Sequence, residues 1–323
     1  MRGILRLTHS ARLCAGLLLL AGLTGCAGTP ELARLRAAPP ALPARVELEQ
    51  VPFFPQETHQ CGPASLAMAL TAAGRPVTPD ALTPRVYVPE RQGSLQVEML
   101  AATRREGLIA YPLAPSLADL LAEIAAGTPV IVLQNLGLSV LPLWHYAVAV
   151  GYDLPREEIV LRSGLTRREV MPLATFEHTW ARSGYWAMLA LPPARLPATA
   201  REDTYVQAAL ALEQVGQTAA AHEAYRTALS RWPGNRLARM GLGNTAAALG
   251  DWREAEAAFR QVTRDHPREW AAYNNLAWAL AQQKRWKEAL EAAQHAVQLA
   301  GDQPQARQTL EDIRKRMKEA KSR

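Results

Sequence analysis

From about residue 202 the chain repeats itself with a period of 34 residues, and the register holds without gaps. Ala221, Ala255 and Ala289 fall in one column, Tyr225, Phe259 and Ala293 in a second, and Ala209, Gly243 and Ala277 in a third. Pro233 and Pro267 share a column that Gly301 completes. A unit of this length cannot bury its apolar face alone, so residues 202–302 must fold as a stack in which each unit covers the next. Trp252, Trp270, Trp278 and Trp286 read as packing within and between the units, ahead of ligand stacking.

The period and its columns resemble tetratricopeptide repeats. That resemblance implies about three helix pairs, the first the most divergent, in which small residues let the helices approach and the proline ends the second helix of each pair. Residues 303–323 then read as a polar, basic capping helix and tail.

The N-terminus carries a different signal. Residues 1–25 hold Arg2, Arg6 and Arg12 without an acid, followed by an apolar run from Leu13 to Leu23 that is too short to span a bilayer, the pattern of an export signal. It closes on Leu23-Thr24-Gly25-Cys26, which resembles a bacterial lipobox. The resemblance implies that Cys26 is lipidated and becomes the first residue of the mature protein; an ordinary signal peptide or an unprocessed leader is the alternative. Ala27 follows the cysteine, and by resemblance to Gram-negative sorting this implies an outer-membrane protein facing the periplasm, held by lipid without a spanning helix. Residues 26–50, with Pro30, Pro39, Pro40 and Pro43, read as a tether.

Charge and cysteine content narrow the function. The net charge is +6, but residues 1–25 and the seven Lys/Arg against four Asp/Glu of residues 301–323 account for all of it. The body between is neutral, which argues against nucleic acid as the partner. Of three cysteines, Cys14 lies in the leader and Cys26 is committed to lipid, leaving Cys61 as the one thiol in a compartment where thiols are usually paired. No spacing of Cys, His and acids resembles a metal ligand set, no Walker motif is present, and no cofactor is implied.

Cys61 stands at a predicted helix start. Pro63 fits the first turn, Leu66 and Leu70 recur at i, i+4, and Gly74 ends the pattern. A thiol there meets the positive end of the helix dipole, which lowers its pKa and favours a nucleophilic thiolate; the bland alternative is a small buried hydrophobe. After a proline-spaced loop (Pro76, Pro79, Pro84, Pro89), Ser94 is placed to cap a helix that runs to about Glu106 and stops at Gly107. Ser116 and Asp119 form a capping box for a helix ending at Gly127, and Pro129–Asn135 reads as a buried strand.

Residues 144–153 and 158–164 read as a β-hairpin with its turn near residue 155. His145 opens the first strand, shares a face with Ala147, Ala149 and Gly151, and pairs with residues about 163–165. Asp153 is eight residues along that strand, roughly 26 Å away, too far to orient His145. A helix over Leu173–Ala181 and a strand over Tyr185–Leu191 complete the region. His59 is too local to Cys61 to be the better base, and His178 reads as structural.

Gln56, Cys61-Gly62-Pro63-Ala64 and the hairpin from His145 to Asp153 together resemble papain-like cysteine peptidases of the kind that process double-glycine bacteriocin leaders, and their lipoprotein relatives with helical-repeat tails. The resemblance implies an α+β papain-like cysteine peptidase domain over residues 51–197, followed by an all-α tetratricopeptide-repeat solenoid. It implies Cys61 as nucleophile, His145 as base and then acid, and Gln56 as donor to the oxyanion. Two positions depart from the family pattern: Gln56 stands five residues before Cys61 rather than six, and Ser163 occupies the place of the acid that orients the histidine. The expected partners are a peptide or protein substrate at the domain, a protein at the repeats and a membrane at the lipid anchor. A catalytically silent peptide cradle and an amidase or transamidase using the same Cys–His pair remain alternatives.

Overall fold

A computed structural model of the chain describes residues 28–56, 60–138 and 140–322. The expected export signal, Cys26 and His59 lie outside them. Residues 30–191 form an α+β domain on one antiparallel seven-stranded sheet. Helix α1 (Pro30–Ala37) and strand β1 (Arg45–Glu47) come first, then helices α2 (Cys61–Ala72) and α3 (Pro79–Val86). A small ribbon of β2 (Tyr87–Val88) and β3 (Gly93–Ser94) leads into α4 (Gln96–Arg105), β4 (Ile109–Pro112), α5 (Leu117–Ala125) and β5 (Val130–Asn135). The hairpin β6 (Trp144–Asp153) and β7 (Glu158–Ser163) is followed by β8 (Thr166–Pro172), α6 (Leu173–Ala181) and β9 (Ala187–Leu191).

The sheet runs β4-β9-β5-β6-β7-β8, with β1 paired to the far half of β6. All six residues of β5 are buried, so both faces of the sheet centre are covered. One helix group, α2 with α3 and α4, and another, α1 with α5 and α6, provide that cover. The hairpin pairs Val148 with Arg162 and Ala149 with Leu161, then shifts register before Gly151. Glycine is required at that shift because β1 crosses there: a Cβ on Gly151 would lie 2.6 Å from the Val46 carbonyl oxygen.

Three local expectations are corrected. Residues 30–50 are not a free tether, because Leu32 and Leu35 are buried in the core and β1 joins the sheet. Ser94 caps no helix; it lies in β3, and α4 starts two residues later with Leu95 at its N-cap. The proline-spaced segment holds helix α3, because Pro79 occupies its first turn and Thr78 accepts from Ala81 N at 3.3 Å. The edge strand β8 had no apolar alternation to signal it, since Thr166, Arg167 and Arg168 all face solvent.

The N-terminal helix is fixed by a buried carboxylate. Thr29 makes no capping bond, and Glu177 of α6 accepts from Glu31 N at 2.9 Å and Leu32 N at 2.8 Å, closing the N-terminus of α1 from another element. Glu31 in turn accepts from Leu117 N at 3.2 Å, at the start of α5. Glu177→Ala should strand two buried N–H groups and cost about 2–4 kcal/mol, read as a lower urea midpoint.

Residues 202–321 are all helical pairs: α7 (Glu202–Gln214) with α8 (Thr218–Arg231), α9 (Arg236–Ala248) with α10 (Trp252–Asp265), and α11 (Trp270–Gln282) with α12 (Trp286–Ala300), capped by α13 (Pro304–Lys321). The turn inside each pair takes a left-handed residue at the 34-residue interval: Gly216, Gly250 and Lys284, with φ of 78°, 83° and 61°. Rings account for two of the helix glycines, Gly241 and the column residue Gly243. A Cβ on Gly241 would meet the Tyr225 ring at 2.2 Å, and one on Gly243 the Phe259 ring at 2.5 Å. Trp286 packs on the core of the later repeats, and Trp278 lies 4.7 Å from the Arg316 guanidinium of α13.

The first pair is welded to the sheet domain. One continuous core runs from β4 and β9 into Tyr205, Leu212 and Tyr225. Tyr205 donates to the Pro193 carbonyl at 2.8 Å, and Arg201 N donates to Tyr111 Oη at 3.0 Å. Buried Glu123 of α5 accepts from Ala198 N and Thr199 N, which fixes the segment leading into α7. Among the described residues no helix is long and apolar enough to cross a membrane.

Candidate active site

Cys61 is the first residue of α2, and the helix behind it is buried from Gly62 to Leu70. Such all-round burial fits an interior helix, which sets the thiol at the end of a rigid rod. Glycine follows the cysteine for a steric reason: a Cβ on Gly62 would come within 2.1 Å of Ser94 Oγ. Backbone N–H groups of Tyr146, Gly62 and Cys61 itself act on the sulfur, so the start of β6 is brought against the start of α2.

His145, beside Tyr146, lines the same cavity as Cys61. Its Nε2 lies 2.9 Å from Ser163 Oγ. When Nε2–H donates to that hydroxyl, Nδ1 keeps its lone pair for the thiol proton. Ser163 is nearly buried at the end of β7, one residue past the Val148–Arg162 pair, so it meets His145 on the diagonal of the hairpin rather than directly across it. Asp153, at the far end of β6, pairs with Arg45 at 2.7 Å. His178 is exposed on α6. Among the described residues no group of His, Cys, Asp and Glu is arranged to hold a metal.

Gln56 is placed as a bridge. Its Nε2 donates to Ser65 Oγ at 3.1 Å and to the Tyr146 carbonyl at 3.3 Å, while Oε1 accepts from Gly164 N at 3.0 Å. Gln56 N also donates to the Gly164 carbonyl at 2.9 Å. One buried amide therefore joins α2, β6 and the turn after Ser163. Both of its amide protons are engaged. The N–H groups of Cys61 and Gly62, which precede the first bond of the helix, from Ala64 N to Gln60 O, lie at the nucleophile and make no intrahelical bond.

Burial governs the electrostatics. It pushes the Cys61 thiol above the ordinary cysteine value, and the three backbone N–H groups offset only part of this. The expected lowering by the helix start is thus outweighed by desolvation. Burial also holds His145 below the ordinary histidine value, and the Glu169 carboxylate opposes that shift. Thiol and imidazole are both favoured in their neutral forms, so the proton moves from sulfur to His145 as the nucleophile attacks.

Sequence reasoning missed Glu169, because it lies on the exposed edge strand β8, opposite Leu161. Glu169→Gln removes a charge that favours imidazolium, so the acid limb of the pH–rate profile should move to lower pH; titrating peptide hydrolysis between pH 4 and pH 8 checks it.

The cavity measures about 890 Å³ and carries Arg91 and Arg182 at its walls, with no acid among the described residues that line it. Leu136, Leu143 and Trp144 form an apolar wall beside His145.

Comparison with known proteins decides the family of this arrangement. Residues 48–188 match the Peptidase_C39 like family. The N-terminal half carries a C39-like peptidase domain. Residues 206–251 and 242–304 match the tetratricopeptide repeat family, so the C39-like domain is followed by tetratricopeptide repeats. Among solved structures, a protein assigned as a C39-like peptidase from Bacillus anthracis is 21% identical, with a TM-score of 0.39 over 46% of this chain and 97% of that one. The Sgt2 tetratricopeptide-repeat domain from Aspergillus fumigatus is 21% identical, with a TM-score of 0.36 over 38% of this chain and 82% of that one. MamA from Desulfovibrio magneticus is 20% identical, with a TM-score of 0.36 over 39% of this chain and 73% of that one. No curated protein matches the chain.

Proposed function

We propose that the C39-like domain is a cysteine peptidase that cleaves amide bonds through a thioester on Cys61. His145 takes the thiol proton during attack and returns it to the leaving amine; water then releases the acyl group and restores the thiol. Ser163 orients the imidazole, and the Cys61 and Gly62 N–H groups face the developing oxyanion, with Gln56 holding these parts together. The observation that carries this reading is the Nε2–Oγ contact of 2.9 Å inside the cavity that Cys61 also lines. The repeats dock a protein partner or present the substrate. The leader and lipobox support attachment through Cys26 to the outer membrane, facing the periplasm.

A silent peptide cradle is favoured by one specific feature, a serine where a carboxylate would stabilise imidazolium better. Mass spectrometry of peptides incubated with the purified chain separates the readings. Gain of one water across a backbone amide supports the peptidase, incorporation of an added amine identifies a transamidase, and unchanged peptides with the chain and with Cys61→Ala alike leave the cradle.

A further inference from the structure

Between β5 and β6 the chain displays leucines where a soluble surface would carry polar groups. Exposure climbs from 45% at Leu136 to 90% at Val140, then falls to 50% at Trp144. Leu138, Leu141 and Leu143 are exposed between them, and Leu165 on the neighbouring β7–β8 turn is exposed as well. A maximum in the middle describes a protruding wedge, whereas a groove for a peptide would have its deepest apolar residues there.

The wedge is built. Asn135 Oδ1 accepts from Gly137 N at 3.0 Å and Leu143 N at 2.9 Å. Arg182 donates to the carbonyls of Asn135 and Gly137 at 3.1 and 2.7 Å. Leu136 N donates to Leu143 O, and Leu141 N to Leu138 O. Gly137 is needed at the crossing, where a Cβ would lie 2.4 Å from the Leu141 carbonyl oxygen. Much of the backbone polarity is thus satisfied inside the wedge, the condition for placing it in an apolar medium. A tryptophan stands at its base, beside a cavity mouth that carries Arg91 and Arg182, two cations that suit an anionic surface, and no acid among the described residues.

The start of the fold points to the same occupant. Helix α1 begins at Pro30 and is fastened to Glu177 of α6, while Arg182, just past the end of α6, braces the wedge. Glu177 and Arg182 are about 7.5 Å apart along the helix. If Cys26 carries lipid, the reading on which this step rests, four residues of chain reach no more than about 14 Å before Pro30. The anchor and the wedge then belong to the same end of the domain.

We propose that Leu136, Leu138, Val140, Leu141, Leu143 and Trp144 dock into the headgroup–acyl boundary of a lipid bilayer and hold the cavity mouth at its surface. The test uses the full chain with Cys14→Ser and Cys61→Ala, carrying an environment-sensitive fluorophore on Val140→Cys. It is added to vesicles of phosphatidylethanolamine and phosphatidylglycerol with brominated acyl chains. A blue shift with quenching at position 140, absent from the same label on Leu249→Cys in the repeats and abolished by Leu141→Asp, is expected. Unchanged emission at 140, equal quenching at both positions, or a shift produced by peptide instead of vesicles overturns the proposal. Intact mass reports acylation of Cys26 separately, and the readout does not involve catalysis, so failure of the peptidase reading leaves this test intact.

Discussion

His145→Ala should lower amide hydrolysis by about 100- to 10,000-fold, and Cys61→Ala should remove it, with both chains retaining the wild-type urea midpoint. The size follows from the resting protonation states. Burial favours neutral thiol and neutral imidazole, so Cys61 has little thiolate of its own near neutral pH and depends on His145 to remove the proton. The same base must protonate the departing amine. Neither side chain holds the fold together: Cys61 is only partly buried, and among the described residues the His145 ring bonds only Ser163. The measurement is kcat/KM on a cleaved peptide beside the denaturation curve. A loss of activity that tracks a loss of stability would assign both residues to structure.

Gln56→Ala should reduce both stability and thiol reactivity, the second large effect. Removing the amide leaves Gly164 N without its side-chain acceptor and unfastens α2 and β6 from the turn after Ser163. The cost should be about 2–3 kcal/mol, since Gln56 is buried and its partners lose their bonds without gaining water. A donor that acted only on the oxyanion would behave differently, because its loss slows turnover while leaving alkylation of Cys61 by iodoacetamide unchanged. The bridging geometry instead lets Ser163 drift from His145, so alkylation at neutral pH should slow together with turnover. Alkylation rates and urea midpoints for Gln56→Ala and Gln56→Glu provide the check.

The sequence carried the repeats well because their evidence is periodic: columns at 34 residues survive divergence, even where Lys284 replaces the turn glycine. The hairpin was legible for a related reason, since alternation and a short turn set its register, and the Val148–Arg162 pair leaves Ser163 on the diagonal from His145, within side-chain reach. What stayed hidden depended on tertiary partners. Helix α1 is capped by a carboxylate 146 residues away in sequence, so its prolines and charges read as a tether. Strand β8 has a charged exposed face, and with it Glu169 was lost from view. The thiol pKa was misjudged because a helix start is visible in sequence, whereas the burial that outweighs it is a property of the assembled core. The amide of Gln56 is the same kind of case, its position legible and its partners not.

The central claim is that His145 activates Cys61. It is tested most directly by the rate of iodoacetamide labelling of Cys61 at neutral pH, followed by peptide mass spectrometry in the wild-type chain and in His145→Ala. Labelling slower by at least about ten-fold in the variant, with the two rates converging as alkaline pH ionises the thiol without help, is the expected result. Equal rates across the whole pH range would contradict it.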